Sequence, residues 1–376
     1  MAPRTFVQPK WFLLPLFVTL LCLGLDANPQ SKKRNKGDPV LGERIAEGIV
    51  FSGHLWLRGA MAAHDDPSGG LISLDLSSEA RSVHYEKGVL DIEKAGSTLW
   101  VLRTASSTKN EFVVSIWSKG VFENLAQFES SPEDRPIALL SAKGIPVVLL
   151  NKSFRKYSHE GRAWHREPLK GGLRAGVQVS VAVPNDAHAV YVGINRGEWG
   201  GGLQRVDLGT GTVTDVERCD SPELCEGPLN SDCDPVTGVI PDPLNESCVL
   251  AAIGLRHFVS HGRILRVCGE RVTLVSEIVV RQEPCWKHKE TEAFFGLTPS
   301  ADGGFLAIGG EALYAFVPDG TRAERHTLPK PRRASGMFMS REISGVLVLW
   351  TDVNWAVSVS GYTPLLISLE PPRSGK

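Results

Sequence analysis

Short runs of apolar residues alternate along most of the chain with polar, glycine-rich segments. His188–Ile194 (HAVYVGI) and Gly345–Trp350 (GVLVLW) are examples, because both are rich in β-branched and apolar residues and have the length of a β-strand. Gly-Gly and Asp-Gly pairs separate many of the runs and favour tight turns that need a positive φ. Beyond the N-terminal segment, no long stretch has a helical period. The pattern predicts an all-β chain.

The apolar runs recur at a nearly constant spacing. His54–Arg58 (HLWLR) resembles Thr98–Arg103 (TLWVLR), which lies 44 residues later in the chain. Gly69–Leu76 resembles Gly201–Leu208, which lies 132 residues later, three times the first offset. Strands of this kind are centred near Leu55, Leu99, Val147, Val190, Phe258, Leu306 and Val346. The gaps between the centres are 44, 48, 43, 68, 48 and 40 residues, so one gap alone is anomalous. A period of about 40 to 50 residues with several short strands per unit is typical of a β-propeller.

We therefore predict one β-propeller domain over residues 41–370, with about seven four-stranded blades. The blades form a single domain because each buries its faces only against its neighbours. The long gap between Val190 and Phe258 predicts a loop insertion over about residues 217–249. A strand near Ile49 is expected to complete the last blade near Leu366, because the ring must close.

One hairpin resembles a known propeller repeat. Asn195–Leu203 (NRGEWGGGL), followed by Arg205–Gly211 (RVDLGTG), is similar to the G-L-x-x-x-D-x-x-T-G hairpin of the quinoprotein-like and sensor-type propeller superfamily. The resemblance implies the propeller fold, and a shared fold does not imply a shared activity. Quinone-dependent dehydrogenases of that superfamily carry a tryptophan at a set place in each blade, whereas the nine tryptophans of this chain show no such spacing.

Composition and charge narrow the choice of partners. The chain has 376 residues, of which 42% are hydrophobic, so it is long enough and apolar enough to bury a large core. Its 41 basic and 42 acidic side chains leave a formal net charge of −1. Because nucleic-acid-binding proteins usually carry a basic excess, the sequence predicts no nucleic-acid partner.

The N-terminal segment predicts export. Trp11–Leu25 is an uncharged apolar run that is too short for a typical membrane-spanning helix and fits the core of a signal peptide. We predict a signal peptide over residues 1–27, a flexible tether over 28–40, and a secreted or periplasmic protein. Lys32, Lys33 and Arg34 follow the run, and basic residues prefer the cytoplasmic side. The alternative is an uncleaved segment that anchors the protein to a membrane, which is the one case in which a membrane partner is expected.

The cysteines also favour an oxidising compartment. Six cysteines lie close together in the second half of the chain, and an even number behind a secretory segment predicts three disulfides in a disulfide-rich insertion. They are Cys219, Cys225, Cys233, Cys248, Cys268 and Cys285. Their spacing matches no common zinc motif, and the pairing stays open.

Two segments carry candidate binding residues. Arg196, Glu198 and Trp199 precede three glycines, and Arg, Glu and Trp are residue types that recognise ligands on loops where glycine permits close approach. His257 and His261 would share one face if they lay on one strand, but Ser260-His261-Gly262 also has the pattern of a turn. The simpler interpretations are a packed hairpin tryptophan and two unrelated histidines.

No catalytic residue, metal site or cofactor is assigned. Calcium is considered because the insertion contains several carboxylates, although their spacing does not fit an EF-hand. They are Asp220, Glu223, Asp232, Asp234 and Asp242. Serine-nucleophile elbows, phosphate-binding loops and the H-E-x-x-H motif are absent from the sequence.

These features favour an exported, non-catalytic β-propeller that recognises a protein or glycan through one face of loops. The alternative is a propeller enzyme with an axial metal or acid/base site, with lactonase-, lyase- or quinoprotein-like activity.

Overall fold

The computed structural model consists of β-strands joined by turns, and its described residues contain no α-helix. It describes Val40 and residues 44–368, apart from 61–67, 79, 106–109, 175, 177, 220–226, 257–259, 283–288, 301, 311, 328–336, 340–345, 351–354 and 361–362. All described residues belong to one compact unit within residues 37–376. The predicted signal peptide and all of the predicted tether except Val40 lie outside the described residues.

The strands form antiparallel sheets that follow one another along the chain. Sheet 1 contains β1 (Arg44–Phe51), β2 (His54–Ala60), β3 (Gly69–Asp75), β4 (Arg81–Ala95), β5 (Thr98–Thr104), β6 (Glu111–Ser118) and β7 (Val121–Glu129). Sheet 2 contains β8 (Pro136–Ala142), β9 (Ile145–Leu150), β10 (Ser153–Ser158) and β11 (Ala163–Pro168). Sheet 3 contains β12 (Gln178–Ala182), β13 (Ala189–Asn195), β14 (Leu203–Asp207) and β15 (Val213–Val216).

The second half of the chain continues this order. Sheet 4 contains β16 (Val236–Pro241), β17 (Cys248–Arg256), β18 (Ser260–Cys268) and β19 (Arg271–Ser276). A two-stranded hairpin, β20 (Val279–Gln282) and β21 (Lys289–Thr291), follows. Sheet 5 contains β22 (Leu297–Pro299), β23 (Phe305–Ile308), β24 (Ala312–Phe316) and β25 (Ala323–Thr327). Sheet 6 contains β26 (Met337–Met339), β27 (Val346–Trp350), β28 (Trp355–Ser360) and β29 (Thr363–Ser368).

Sheet 1 divides into two four-stranded halves that share the long strand β4. The first part of β4 pairs with β3, where Val83 lies opposite Ile72, and the last part pairs with β5, where Ile92 lies opposite Val101. Between the two parts, Gly88 has a φ of +85° and the register of β4 shifts at Val89. A glycine with positive φ and a bulge let one strand change partners, so β4 ends one unit and begins the next.

The core lies between consecutive sheets. Val147 and Leu149 of β9 pack in a cluster with sheet 3, whereas Val148 and Leu150 of the same strand pack in a cluster with sheet 1. Because successive side chains of a strand point to opposite faces, both faces of β9 are buried. Strand β17 repeats this arrangement between sheets 3 and 5. Burial on both faces explains why the second strand of each unit is a continuous apolar run in the sequence.

Six of the seven strand centres expected from the sequence lie in second strands. The seventh centre, Phe258, lies outside the described residues, and the second strand of sheet 4 is β17. The excess chain length is therefore divided between two connections, residues 217–235 and residues 277–296, and the second contains the β20–β21 hairpin. The insertion expected over 217–249 extends too far, because β16 begins at Val236.

The expected closure by a shared strand is also wrong. Ile49 pairs with Trp56 inside sheet 1, and Leu366 pairs with Val357 inside sheet 6. β1 nevertheless lies beside β26 and β27, so the first and last sheets are neighbours without a common hydrogen-bond ladder.

Candidate functional site

The connectivity of the sheets separates the loops onto two rims. In an antiparallel sheet successive strands run in opposite directions, so the connections after the second and fourth strands emerge at one end. We call these connections the upper rim and the connections after the first and third strands the lower rim. In sheet 1 the strands are counted within each half, β1–β4 and β4–β7, so the turn from β4 to β5 follows the first strand of the second half. The Arg196–Gly202 loop follows β13 and the cysteine-rich connection 217–235 follows β15. Both therefore lie on the upper rim.

The loop that carries Trp199 has a fixed backbone. Gly197–Trp199 form a single 3₁₀ turn, and the backbone N–H of Arg196 donates to the carbonyl of Gly200 at 2.9 Å. The Asn195 side-chain oxygen accepts the N–H of Gly197 at 2.8 Å. These bonds hold Trp199 outwards, and its side chain is 69% exposed. Arg196 and Glu198 beside it are exposed as well.

The glycines that follow Trp199 pack directly on the cysteine-rich connection. The N–H of Gly201 donates to the carbonyl of Ser231 at 2.8 Å, and the N–H of Gly202 donates to the carbonyl of Asp234 at 2.9 Å. A Cβ atom at Gly200 would lie 2.4 Å from the carbonyl oxygen of Ser231, which no side chain could accommodate. The glycine run is therefore required by close contact between two backbones.

Asp234 is the centre of this contact. Its side chain is fully buried, and one carboxylate oxygen accepts from Arg263 Nη2 at 2.6 Å and from the backbone N–H of Asn230 at 2.7 Å. The other oxygen lies 3.0 Å from His261 Nε2. A buried carboxylate requires such partners, because an uncompensated charge in the interior is costly.

Arg263 connects the cysteine-rich connection to sheet 4. Its guanidinium also donates to the carbonyl of Pro228 at 2.7 Å and to that of Gly227 at 3.1 Å, and it is 6% exposed. His261 and Arg263 are alternate residues of β18, so both side chains face the same connection. Through Asp234, strand β18 thus fixes the connection on which the Trp199 loop rests.

A second arginine, in the connection between β11 and β12, supports the loop beside sheet 3. Arg174 Nη1 donates to the carbonyl of Gly201 at 3.3 Å, and Arg174 Nη2 lies 2.9 Å from an Asp215 carboxylate oxygen. Gln204 accepts the backbone N–H of Arg174 at 2.8 Å and donates to Asp215 at 2.8 Å. The Trp199 loop is therefore fixed on both sides by charged side chains that are not themselves at the tip.

The structure brings most of the candidate binding residues onto this one rim. Arg196, Glu198 and Trp199 occupy the loop tip, and His261 lies below it in β18 rather than in the turn that the sequence also allowed. The His261 side chain is 31% exposed. His257 lies outside the described residues. Sequence reasoning missed Arg263, although its alternation with His261 along an apolar strand is the signal that could have identified it.

The carboxylates considered for calcium do not converge. Asp220 and Glu223 lie outside the described residues, and Asp232 is exposed on the cysteine-rich connection. Asp234 precedes β16 and Asp242 follows it, where Arg266 binds its carboxylate. In the part of the chain that the structure describes, no three His, Cys, Asp or Glu side chains are grouped so that they could hold a metal ion.

The cysteines pair only in part as predicted. Cys248 and Cys268 lie opposite each other on β17 and β18 and form a disulfide, with a Cα–Cα distance of 4.4 Å. Cys233 is also disulfide-bonded. Cys219 has an exposed free thiol, so the prediction that all six cysteines form bridges is wrong at this residue. Cys225 and Cys285 lie outside the described residues.

Comparisons with known proteins define the class of fold. No protein-family model matches the sequence, and no curated protein matches it significantly. A puromycin-hydrolyzing peptidase from Mycobacterium tuberculosis matches with a TM-score of 0.54 and 12% identity, over 89% of this chain and 53% of that chain. The GH74 xyloglucanase from Xanthomonas campestris matches with a TM-score of 0.53 and 12% identity, over 86% of this chain and 53% of that chain.

The extracellular domain of a one-component system from B. thetaiotaomicron matches with a TM-score of 0.50 and 11% identity, over 90% of this chain and 48% of that chain. The chain spans about half the length of these structures. At this identity the matches show the fold alone, and that fold is a β-propeller. Among the described residues, no helix has the length and apolar character needed to cross a membrane.

Proposed function

We propose that this chain is an exported, non-catalytic β-propeller that recognises a protein or a glycan through its upper rim. The contact elements are the loop at Arg196, Glu198 and Trp199 and the cysteine-rich connection, with His261 below them. No metal or cofactor takes part. The proposal also keeps the chain within the quinoprotein-like and sensor-type propeller superfamily, on the strength of the Asn195–Gly211 hairpin.

The proposal includes a ring of seven blades. Sheet 1 counts as two blades because β4 is shared, and sheets 2 to 6 supply five more. Binding sites are often carried by loops that a rigid scaffold positions. In the proposed ring, the upper-rim connections of neighbouring blades form one such surface.

Trp199 is the observation that carries the proposal. Among the residues whose burial the structure describes, it is the only aromatic side chain that is both large and mostly exposed. Arg174, Arg263 and the buried Asp234 fix the loop that presents Trp199. Little conformational entropy of the loop would therefore be lost when a ligand covers the Trp199 indole. Tryptophan is the residue type that most often dominates binding energy at recognition surfaces.

Export is supported by the cysteine chemistry. The Cys248–Cys268 disulfide and the disulfide-bonded Cys233 are features that persist in oxidising compartments. They agree with a signal peptide over residues 1–27 and a secreted or periplasmic location. Retention of the apolar run Trp11–Leu25 would instead leave the propeller anchored to a membrane.

The test is capture by the immobilised full-length mature protein. We expect Trp199→Ala to abolish retention of an exported host protein or of an arrayed glycan, because it removes the exposed ring, while the unfolding temperature stays unchanged. Glu198→Ala is expected to weaken retention. Leu244→Ala is the matched control, because Leu244 is 56% exposed on the lower rim. If Trp199→Ala retains every ligand that the parent retains, the upper-rim loop is not the recognition element.

One contact favours the alternative of a propeller enzyme with an acid/base site. His261 Nε2 lies 3.0 Å from a carboxylate oxygen of Asp234, and a histidine oriented by a buried carboxylate is a common general base. Turnover of lactone or glycan substrates by the parent protein, lost in His261→Gln, would replace the recognition proposal with this one.

A further inference from the structure

Basic side chains occupy the tips of three neighbouring lower-rim hairpins. Lys119 and Gly120 form the turn between β6 and β7, Lys143 and Gly144 form the turn between β8 and β9, and Arg162 ends the turn between β10 and β11. All three basic residues are exposed, and none forms an ion pair with another described residue. We call Lys119, Lys143, Arg162 and the nearby exposed Lys156 of β10 the basic rim.

The backbone at these tips does not explain the basic residues. The φ angles of Lys119, Lys143 and Arg162 are +50°, +52° and +48°, in the left-handed region that glycine, asparagine and aspartate adopt most readily. In a two-residue hairpin turn with positive φ at both positions, Asn-Gly is the favoured pair. Lysine at the first position of two successive turns therefore works against local preference, so a different requirement selects the charge.

The positive charge continues from the lower rim onto the outer strands of sheet 2. Arg155 of β10 lies directly opposite Arg166 of β11, and Lys156 lies directly opposite His165. Like charges in directly opposite positions destabilise a strand pair. Between residues 152 and 170 the sequence has six Lys or Arg and two Glu, an excess of four positive charges in a chain whose formal net charge is −1.

Arg155 is partly buried next to Arg166. Burial, followed by repulsion from Arg166, lowers the pKa of Arg155 below its ordinary value. Neighbouring acids satisfy only part of the excess: Lys152 pairs with Glu133, and Arg166 lies 3.2 Å from Asp134. The basic rim is left facing solvent.

We propose that the basic rim binds a linear anionic polysaccharide. The hairpin tips of sheet 2 are two strand spacings apart, roughly 10 Å, and the next sheet lies about 10 Å away. Cations spread over three hairpin tips match charges repeated along a chain better than they match the charge of one small anion. This surface is separate from the Trp199 loop, which lies on the opposite rim.

Two other polyanions fit less well. The charges turn a corner, from the hairpin tips to Lys156 and Arg166 on the outer strands, whereas a membrane surface would contact a single plane. Proteins that bind single-stranded nucleic acids interleave exposed aromatic rings with their cations. The described aromatic residues of β10 and β11 instead pack inwards: Tyr157 is buried, and Trp164 lies 5.4 Å from the Phe128 ring.

The test replaces the three tip residues with asparagine. Lys119→Asn, Lys143→Asn and Arg162→Asn remove charge but suit the left-handed backbone, so we expect the unfolding temperature of the triple variant to equal or exceed that of the parent. We expect its affinity for polygalacturonate, measured by affinity electrophoresis at low ionic strength, to fall by about tenfold or more, with a weaker dependence on salt. Ser52→Asn is the matched control, because Ser52 has a φ of +52° in the same kind of turn and carries no charge.

The outcomes separate this proposal from the previous one. Trp199→Ala is expected to bind polygalacturonate as the parent does. The proposal is overturned if the triple variant and the parent bind polygalacturonate equally, or if the parent does not distinguish polygalacturonate from neutral dextran. It is also overturned if the parent prefers single-stranded poly(dT), or phosphatidylglycerol vesicles, over polygalacturonate.

Discussion

Asp234 is the residue on which the geometry of the upper rim depends most directly. Its carboxylate lies 2.6 Å from Arg263 Nη2, and the two side chains are 0% and 7% exposed. We expect Asp234→Asn to lower the free energy of unfolding by about 3 kcal/mol, because it leaves the buried guanidinium without a counter-charge. Denaturant unfolding of the variant measures this loss.

The matched control for Asp234 is Asp232→Asn on the same connection. Asp232 is exposed, so its substitution should change the unfolding free energy by less than about 0.5 kcal/mol. Equal stability of the two variants would mean that Arg263 is solvated in solution and that the contact to Asp234 does not fix the rim.

For individual residues, the sequence identified the unusual side chains but not the side chains that they contact. It marked Trp199 and the glycines after it as unusual, and the structure explains the glycines by the contact of Gly200 with Ser231. It treated Asp234 only as a calcium candidate. The pairing with Arg263 depends on the chain returning after β17, and no local pattern encodes a contact between residues 29 positions apart.

The Cys248–Cys268 disulfide acts at the scale of one hairpin. It joins β17 to β18 across a sequence separation of 20 residues. We expect Cys248→Ala combined with Cys268→Ala to lower the free energy of unfolding by about 3 kcal/mol, because the bridge restricts the unfolded chain. Chemical denaturation under non-reducing conditions measures the change.

Cys219→Ser provides the control for that measurement. Cys219 is exposed and has a free thiol, so its replacement should leave stability unchanged. If instead Cys219→Ser lowers stability as much as the double variant, Cys219 forms a bridge in solution and the pairing seen here is incomplete.

The strands that the sequence located are those whose two faces are both buried. β5, β9 and β13 are continuous apolar runs, because both of their faces are covered by adjacent sheets or, for one face of β5, by the first half of sheet 1. Outer strands such as β11 were not recognised individually, since most of β11 is exposed and its composition resembles that of a loop. The connection at 277–296, which follows the fourth strand of sheet 4, was also missed because its composition resembles that of a loop. The extra residues between Val190 and Leu306 were therefore assigned to one insertion instead of two.

At the scale of the whole molecule, the even balance of charge conceals a local excess. The formal net charge of −1 gave no reason to expect a nucleic-acid partner. Lys119, Lys143 and Arg162 lie at the tips of successive hairpins formed by β6 to β11. This placement follows from how the strands pair and cannot be read from a count of charges. Net charge therefore limits what the average surface attracts and says little about one rim of a propeller.

Each sheet is built from strands that are consecutive in the chain, so the stability of a circular permutant should depend on whether its new termini divide a sheet. Sheets 1 and 6 are neighbours but share no strand, so joining residue 370 to residue 41 by a flexible linker crosses no ladder. A permutant opened at Pro132–Glu133, an exposed turn between β7 and β8, keeps every sheet contiguous. We expect its free energy of unfolding to match that of the parent within about 1 kcal/mol.

The comparison is a permutant opened at Gly96–Ser97, an exposed turn between β4 and β5 where a Cβ on Gly96 would touch nothing. Here β5 must recruit β4 from the opposite end of the chain, so loop-closure entropy opposes folding. Denaturant titration should therefore show this second permutant to be the less stable of the two. If the two are equally stable, packing between sheets dominates over contiguity, and the open junction between sheets 1 and 6 has no energetic consequence.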